Sequence, residues 1–168
     1  MKTSLNSLVF NISCLLFIKN KFEKLLLLKR SKHPNKGYWS PPGGKLNMNV
    51  GESPIECAVR EAKEETGLDL EQDDLRIFGY VSEKGYEKTG HWLMFLIESH
   101  KKIDSLPKSF EEGSFCFFDQ DEIQDLSIPP SDHDLVWPFY KKRELGFWGV
   151  NAEWKDNSVK IKIEESPV

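Results

Sequence analysis

The chain opens on two apolar stretches, residues 8–18 and 23–29, separated by Lys19, Asn20, Lys21 and Phe22. Apolar runs of this length around a polar break predict two strands joined by a short turn. Residues 31–42 are rich in Ser, His, Pro, Asn, Lys and Gly and predict a loop. Gly43 and Gly44 follow, where backbone can come closer to a neighbour than a Cβ would allow. From residue 54 the period changes: Ile55, Ala58, Val59 and Ala62 recur at helical spacing. Ser53 is a suitable N-cap, Pro54 suits the first helical position and Glu56 completes a capping box. Gly67 stands where a left-handed stop is expected, so the helix should span about 54–66. Beyond it, residues 75–82 and 91–98 predict strands around a loop from Glu83 to Gly90. Residues 114–118 predict a strand, and Asp119 to Leu126 a short helical turn. Ser131 could cap a helix running to about Glu144. Residues 147–154 and 159–163 alternate around Lys155, Asp156 and Asn157, predicting a terminal hairpin. The pattern is that of a mixed α/β layered domain.

Composition narrows the function. With 168 residues the chain suits one domain. A formal net charge of −4, with both signs interspersed, argues against a broad nucleic-acid footprint but leaves a single nucleotide open as a ligand. Cys14, Cys57 and Cys116 are far apart with no C-x-x-C pair, so buried free thiols are expected rather than a zinc site or disulfide framework. Lys2 ahead of the apolar run resembles a weak signal peptide, but Asn11 and Ser13 interrupt the run and no small-x-small site follows. It is also too short to span a bilayer, and the expectation is a buried strand in a cytoplasmic protein. His33, His91, His100 and His133 show no ligand spacing.

The helix at 54–66 breaks its own rules. At about 100° per residue, Glu61, Glu64 and Glu65 fall within one arc of about 100° that adjoins the apolar face. Glu61 and Glu65 are like charges one turn apart, costing roughly 0.2–0.5 kcal/mol. Glu64 and Glu65 also sit at the negative end of the helix dipole, each disfavoured by roughly 0.3–1 kcal/mol. A missing cation explains this crowding, and oxygen donors suit Mg2+, with Mn2+ as a substitute. Mutual repulsion should also raise the folded-state pKa of at least one of these acids. A solvated helix with Glu56–Arg60 and Arg60–Glu64 pairs explains the same residues, and the pattern alone leaves both readings open.

Residues 44–52, Gly-Lys-Leu-Asn-Met-Asn-Val-Gly-Glu, followed by 60–68, Arg-Glu-Ala-Lys-Glu-Glu-Thr-Gly-Leu, resemble the Nudix box, G-x5-E-x7-R-E-U-x-E-E-x-G-U with U aliphatic. The preceding Gly37, Tyr38, Trp39, Ser40, Pro41 and Pro42 are also similar to that family, and the element order resembles it over most of residues 6–142. The chain departs from the box in one place: seven residues, not five, separate Gly44 from Glu52.

The resemblance implies a Nudix-type α/β/α sandwich with a mixed sheet over residues 1–145, to which residues 146–168 add the hairpin and tail. It implies a Mg2+-dependent hydrolase that cleaves a phosphoanhydride in a small nucleoside diphosphate-linked substrate. Candidates are nucleoside triphosphates, nucleotide sugars such as ADP-ribose, dinucleoside polyphosphates and RNA 5′ ends. Glu61, Glu64 and Glu65 match the metal-ligand glutamates, and the Gly44 carbonyl could join them. Arg60 and Glu52 match an ion pair that ties loop to helix. Glu112, rather than Glu111, is the expected extra ligand or general base, with Glu83 as the fallback. Trp39 and Asp132 are the candidate substrate contacts. No membrane or long nucleic-acid partner is expected, and the protein should be a monomer or homodimer. A nucleotide sensor that binds without cleaving is the alternative, and it would be expected to lack box acids. An isoprenoid diphosphate isomerase would need a catalytic cysteine, and neither Cys57 nor Cys116 sits in such a motif.

Overall fold

The structure, a computed structural model, describes residues 9–86 and 90–168. Lys2 ahead of the expected first strand, Leu8 at its start, and residues 87–89 of the expected 83–90 loop lie outside the described residues.

The elements in chain order are β1 (Val9–Phe17), β2 (Leu25–Arg30), β3 (Trp39–Ser40), β4 (Gly43–Lys45), α1 (Pro54–Glu61), β5 (Leu75–Tyr86), β6 (Gly90–Ser99), β7 (Gly113–Phe118), α2 (Asp132–Leu135), α3 (Trp137–Lys141), β8 (Trp148–Lys155) and β9 (Ser158–Glu165). A six-stranded sheet runs β4-β1-β6-β5-β8-β9, and a smaller sheet runs β3-β2-β7. The large sheet is mixed: β1–β6 and β5–β8 are parallel, and the other pairs antiparallel.

Strand alternation divides the interior in two. Leu16, Ile18, Ile97 and Cys14 pack with Cys57, Ala58 and Ala62 of the α1 segment. Phe17, Val81, Leu96 and Val150 pack with Leu135, Val136, Trp137 and Tyr140 of α2 and α3. The result is the α/β/α layering expected from the sequence, with both sheets contributing to both clusters. Among the described residues no helix is long and apolar enough to cross a membrane.

The terminal hairpin is present, turning at Asp156 and Asn157, both at positive φ as a two-residue hairpin of type I′ requires. Its first strand extends the sheet beside β5. Two expectations are corrected. Residues 131–144 do not form one helix: α2, α3 and a 3-10 turn at Arg143–Leu145 replace it, and the Ser131 side chain makes no capping bond. Pro138 is the cause, because it has no N–H to donate and its ring crowds the carbonyl one turn back. The expected 31–42 loop and the glycines after it contain β3 and β4, too short for periodicity to reveal.

Candidate active site

The α1 segment is built by local rules. Ser53 and Glu56 make both bonds of the capping box, at 3.2 and 2.7 Å. The helix is α-helical only to Glu61; Ala62–Thr66 widen into a π-helical turn, a distortion that concentrates at functional sites. Gly67 ends it at φ 76°. The seven-residue stretch before Glu52 folds into a 3-10 turn at Met48–Val50, and Glu52 closes it by accepting the Asn47 N–H at 2.7 Å.

Arg60 organises this corner. It grips Glu52 through two nitrogens, at 2.7 and 2.9 Å, and reaches the Lys45 carbonyl at 3.0 Å. That ties loop to helix, the role implied for the pair. The Arg60 hydrogen bond holds the Glu52 carboxyl down to about 2. Arg60 also donates to Glu61 at 2.7 Å and Glu64 at 3.1 Å.

A cavity of about 410 Å³ opens beside α1, a volume suited to a small molecule. Glu61, Glu65, Gly44, Glu112 and Asp132 line it, so five of the expected site residues converge there. Glu65 is 9% exposed, and its carboxylate accepts a hydrogen bond from the Gly43 N–H at 3.2 Å. Burial first, then the Glu61 charge, push its carboxyl up to about 8. Burial likewise raises Glu61, against the opposing pull of Arg60. A raised acid was expected from mutual repulsion; burial is the larger cause. Gly44 explains its own identity: a Cβ there would lie 2.2 Å from Glu61 Oε1. Its carbonyl faces the Cys57 thiol at 3.6 Å.

Glu112 is half-buried and also lines the cavity, and its charge raises both Glu61 and Glu65. Glu111 is held outside by Lys32 at 2.7 Å. Glu64 and Arg60 do not line the cavity, and the Glu64 side chain is 59% exposed. Trp39 is not brought there either: its ring packs edge-on against Phe118, 4.9 Å between centroids.

Several cavity residues were not anticipated. Arg30 and Lys45 supply positive charge, and Lys45 Nζ sits 5.2 Å above the Trp92 ring. Trp92 and Met94 of β6 form an apolar surface beside Ser13 and Leu15 of β1. Glu83, expected in a loop, lies inside β5 on the same face as Val81, where strand parity could have located it. The cysteines are free, with the Cys14 and Cys57 sulfurs 3.5 Å apart.

The donor set fits a hard divalent cation: carboxylates and a backbone carbonyl, all oxygen, beside an acid pair with few internal partners. Among the described residues no three such groups already converge on one point, because Arg60 holds Glu61 and Glu64. A cation here would compete with that guanidinium.

The NUDIX domain family model matches residues 9–138. A Nudix hydrolase of Bacillus subtilis, YvcI, is 32% identical over 68% of this chain and 70% of its own. An ADP-ribose pyrophosphatase of Methanocaldococcus jannaschii is 31% identical over 77% of this chain and 72% of its own. The crystal structure of a MutT protein from Bacillus halodurans superposes with a TM-score of 0.72, at 21% identity, over 92% of this chain and 97% of that one. The chain belongs to the Nudix family and is a pyrophosphohydrolase of that family, whose hydrolases generally use divalent metal ions.

Proposed function

We propose that the protein cleaves a phosphoanhydride bond in a nucleoside diphosphate-linked small molecule, a nucleoside triphosphate or a nucleotide sugar, with Mg2+ as its metal and Mn2+ as a substitute. The observation that carries this reading is the pairing of Glu61 and Glu65, both raised by burial, with the cations Arg30 and Lys45 in one cavity. Acids alone would repel a diphosphate; acids that hold a cation, beside basic side chains, attract one. Glu61, Glu64 and Glu65, with the Gly44 carbonyl, would hold the metal. When bound, it neutralises phosphate charge and lowers the pKa of an attacking water.

The chain's own residues do the rest. Arg60 fixes the box loop to the helix and holds Glu61 and Glu64 in reserve. Arg30 and Lys45 balance phosphate charge at the cavity wall. Glu112 accepts the proton of the attacking water, because acids engaged by a cation are poor bases. Asp132 contacts the organic part of the substrate. Trp39 serves only as packing beneath the site, against the role expected of it from sequence.

The test is hydrolysis of a panel of nucleoside triphosphates and nucleotide sugars with and without Mg2+, for the wild type and Glu65→Gln. Metal-dependent release of phosphate, pyrophosphate or a nucleoside monophosphate, lost in the variant, is expected. Binding of the same nucleotides without turnover would instead make the protein a sensor.

A further inference from the structure

The six-stranded sheet ends differently on its two sides. At one edge β4 is three residues long, too short to offer a ladder to another strand. At the other edge β9 runs for eight residues, longer than the common strand of about five or six. β9 gives one side to β8, pairing from Lys155 opposite Ser158 to Gly149 opposite Glu165. Among the described residues no strand pairs with its other side. An edge of this length presents a row of backbone N–H and C=O groups that a further strand would satisfy.

One face of this edge is apolar. Ile163 lies opposite Val150 and Ile161 opposite Ala152, so each pair shares a face of the sheet. Val150 and Ala152 are fully buried, in the cluster that holds Leu135 of α2 and Trp137 of α3. The covered face of the sheet therefore continues into two isoleucines that are left open, Ile161 at 37% and Ile163 at 51% exposure.

The other face carries charge in a definite order. Lys160 and Lys162 lie toward the hairpin turn, and Glu164 toward the far end of the strand. Glu164 accepts a hydrogen bond at 2.9 Å from the hydroxyl of Tyr80, whose partner in β8 is Gly149, next to Val150 and so on the opposite face from it. That places Glu164 on the face of Lys162, which lies opposite Asn151. Lysines on an edge strand normally turn away an incoming strand. A strand whose charge changes sign along its length makes an exception for one partner, its own copy laid antiparallel. With a two-fold axis at Ile163, Lys162 of each copy stands opposite Glu164 of the other, and Ile163 meets Ile163 on the apolar face. An axis one residue back would set Lys162 against itself, and a parallel copy in register would oppose every like charge.

We infer that β9 is a self-pairing edge, through which two copies of this chain join antiparallel with Lys162 opposite Glu164. The joined sheet has six strands from each copy. The interface is one strand pair and two isoleucines from each side, so association is concentration-dependent rather than permanent. It does not depend on the hydrolase reading, because the surface belongs to the hairpin and not to the cavity lined by Glu61 and Glu65.

The test is sedimentation velocity of the full chain from about 1 to about 200 µM, the range in which a small interface dissociates. Wild type should pass from monomer to dimer. Lys162→Glu and Glu164→Lys each replace two attractive pairs by two repulsive ones and should raise the dimer Kd about tenfold. The double variant reverses both signs and should return to within about threefold of wild type. An equimolar mixture of the two single variants should form a heterodimer at concentrations where neither associates alone. Both positions are exposed, so the melting temperature of each single variant, measured at the dilute end, should match wild type. Ile163→Lys, which places two charges on the axis, should remove the dimer. A wild type that stays monomeric throughout overturns the inference and leaves the edge to a different partner or to solvent. A Kd unchanged in both single variants overturns it too, because the copies then join elsewhere. A double variant as weak as the single ones also overturns it, since Lys162 and Glu164 then do not face each other.

Discussion

The cavity has two acidic walls, and they are built in opposite ways. At the α1 wall the acids come from one helix, sit at its negative end and keep a cation in reach: Arg60 bonds Glu61 and Glu64, and a backbone N–H bonds Glu65. At the other wall the acids come from two distant elements, and Glu83 accepts the indole N–H of Trp154. The first wall is crowded with negative charge that only a cation relieves. The second is a pair in which one member is easily neutral, Asp132 being pushed up to about 7. Burial raises carboxyl groups on both walls, so a raised pKa does not distinguish a metal site from a recognition site; the surrounding groups do.

The sharpest way to break the comparison is at Glu65. Glu65→Gln keeps the shape and removes the charge, so it should lower kcat by about 10³, equivalent to roughly 4 kcal/mol of transition-state stabilisation. Glu64→Gln should also cost orders of magnitude, although Glu64 stands outside the cavity wall. The two variants should differ in the metal-free protein. Glu65→Gln neutralises a buried acid and should raise the melting temperature at neutral pH, while Glu64→Gln, at an exposed position, should leave it unchanged. Near-normal turnover in both would remove the metal assignment from the α1 wall.

The next largest effect concerns Glu112, which acts on the same acids from outside the helix. Glu112→Gln should lower kcat by about 10²-fold, the lower end of the range for loss of a general base, with little change in KM. Glu111→Gln should stay within about twofold, because that side chain lies outside the cavity and pairs with Lys32. Reversed effects in steady-state assays would move the role to Glu111. Mg2+ itself should raise the melting temperature. At a concentration of 100 Kd the gain is about 2.7 kcal/mol. For a chain of this size that amounts to roughly 5–10 °C. Glu65→Gln should lose most of the shift and Asp132→Asn should keep it; equal loss in both variants would mean that the walls are one site.

The two walls were not equally legible in the sequence. Every residue of the α1 wall except Glu112 lies between Gly44 and Gly67, and short-range rules place them: a capping box, a left-handed stop and a helical wheel. What the wheel could not give was the π-helical turn at Ala62–Thr66, which has no signature in hydrophobic spacing. The other wall depends on contacts far apart in the chain. Trp154 is 71 residues from Glu83. β5 runs on to Tyr86, past the expected end at 82, with register shifts at Ile77/Gly79 and Glu83/Tyr86 that blur its alternation. Pro138 cut the expected helix after Ser131, which left Asp132 on a short α2 rather than at the cap of a long helix. Trp39 stood as a candidate substrate contact because it precedes the glycines, but in β3 its ring packs against Phe118.

The smallest expected effect is a pH-dependent one at the second wall. In the unfolded chain Asp132 ionises near 3.8, the ordinary value for an aspartate, and burial in the folded protein pushes it up to about 7. Between those values the folded state binds more protons than the unfolded state. Stability therefore falls as pH rises from about 4 to about 7, and the loss is complete above the folded pKa. The full shift would correspond to roughly 4 kcal/mol at 1.36 kcal/mol per unit, and the open cavity beside the carboxylate should reduce this to about 1–2 kcal/mol. Asp132→Asn carries no such charge. Its melting temperature relative to wild type should rise between pH 4 and pH 8 by about 2–8 °C. Glu64→Gln, a change at an exposed acid, should track wild type across the same range. A constant difference between Asp132→Asn and wild type at every pH would mean that Asp132 ionises in the fold as it does in water. The second wall would then hold a solvated acid rather than one that burial keeps neutral.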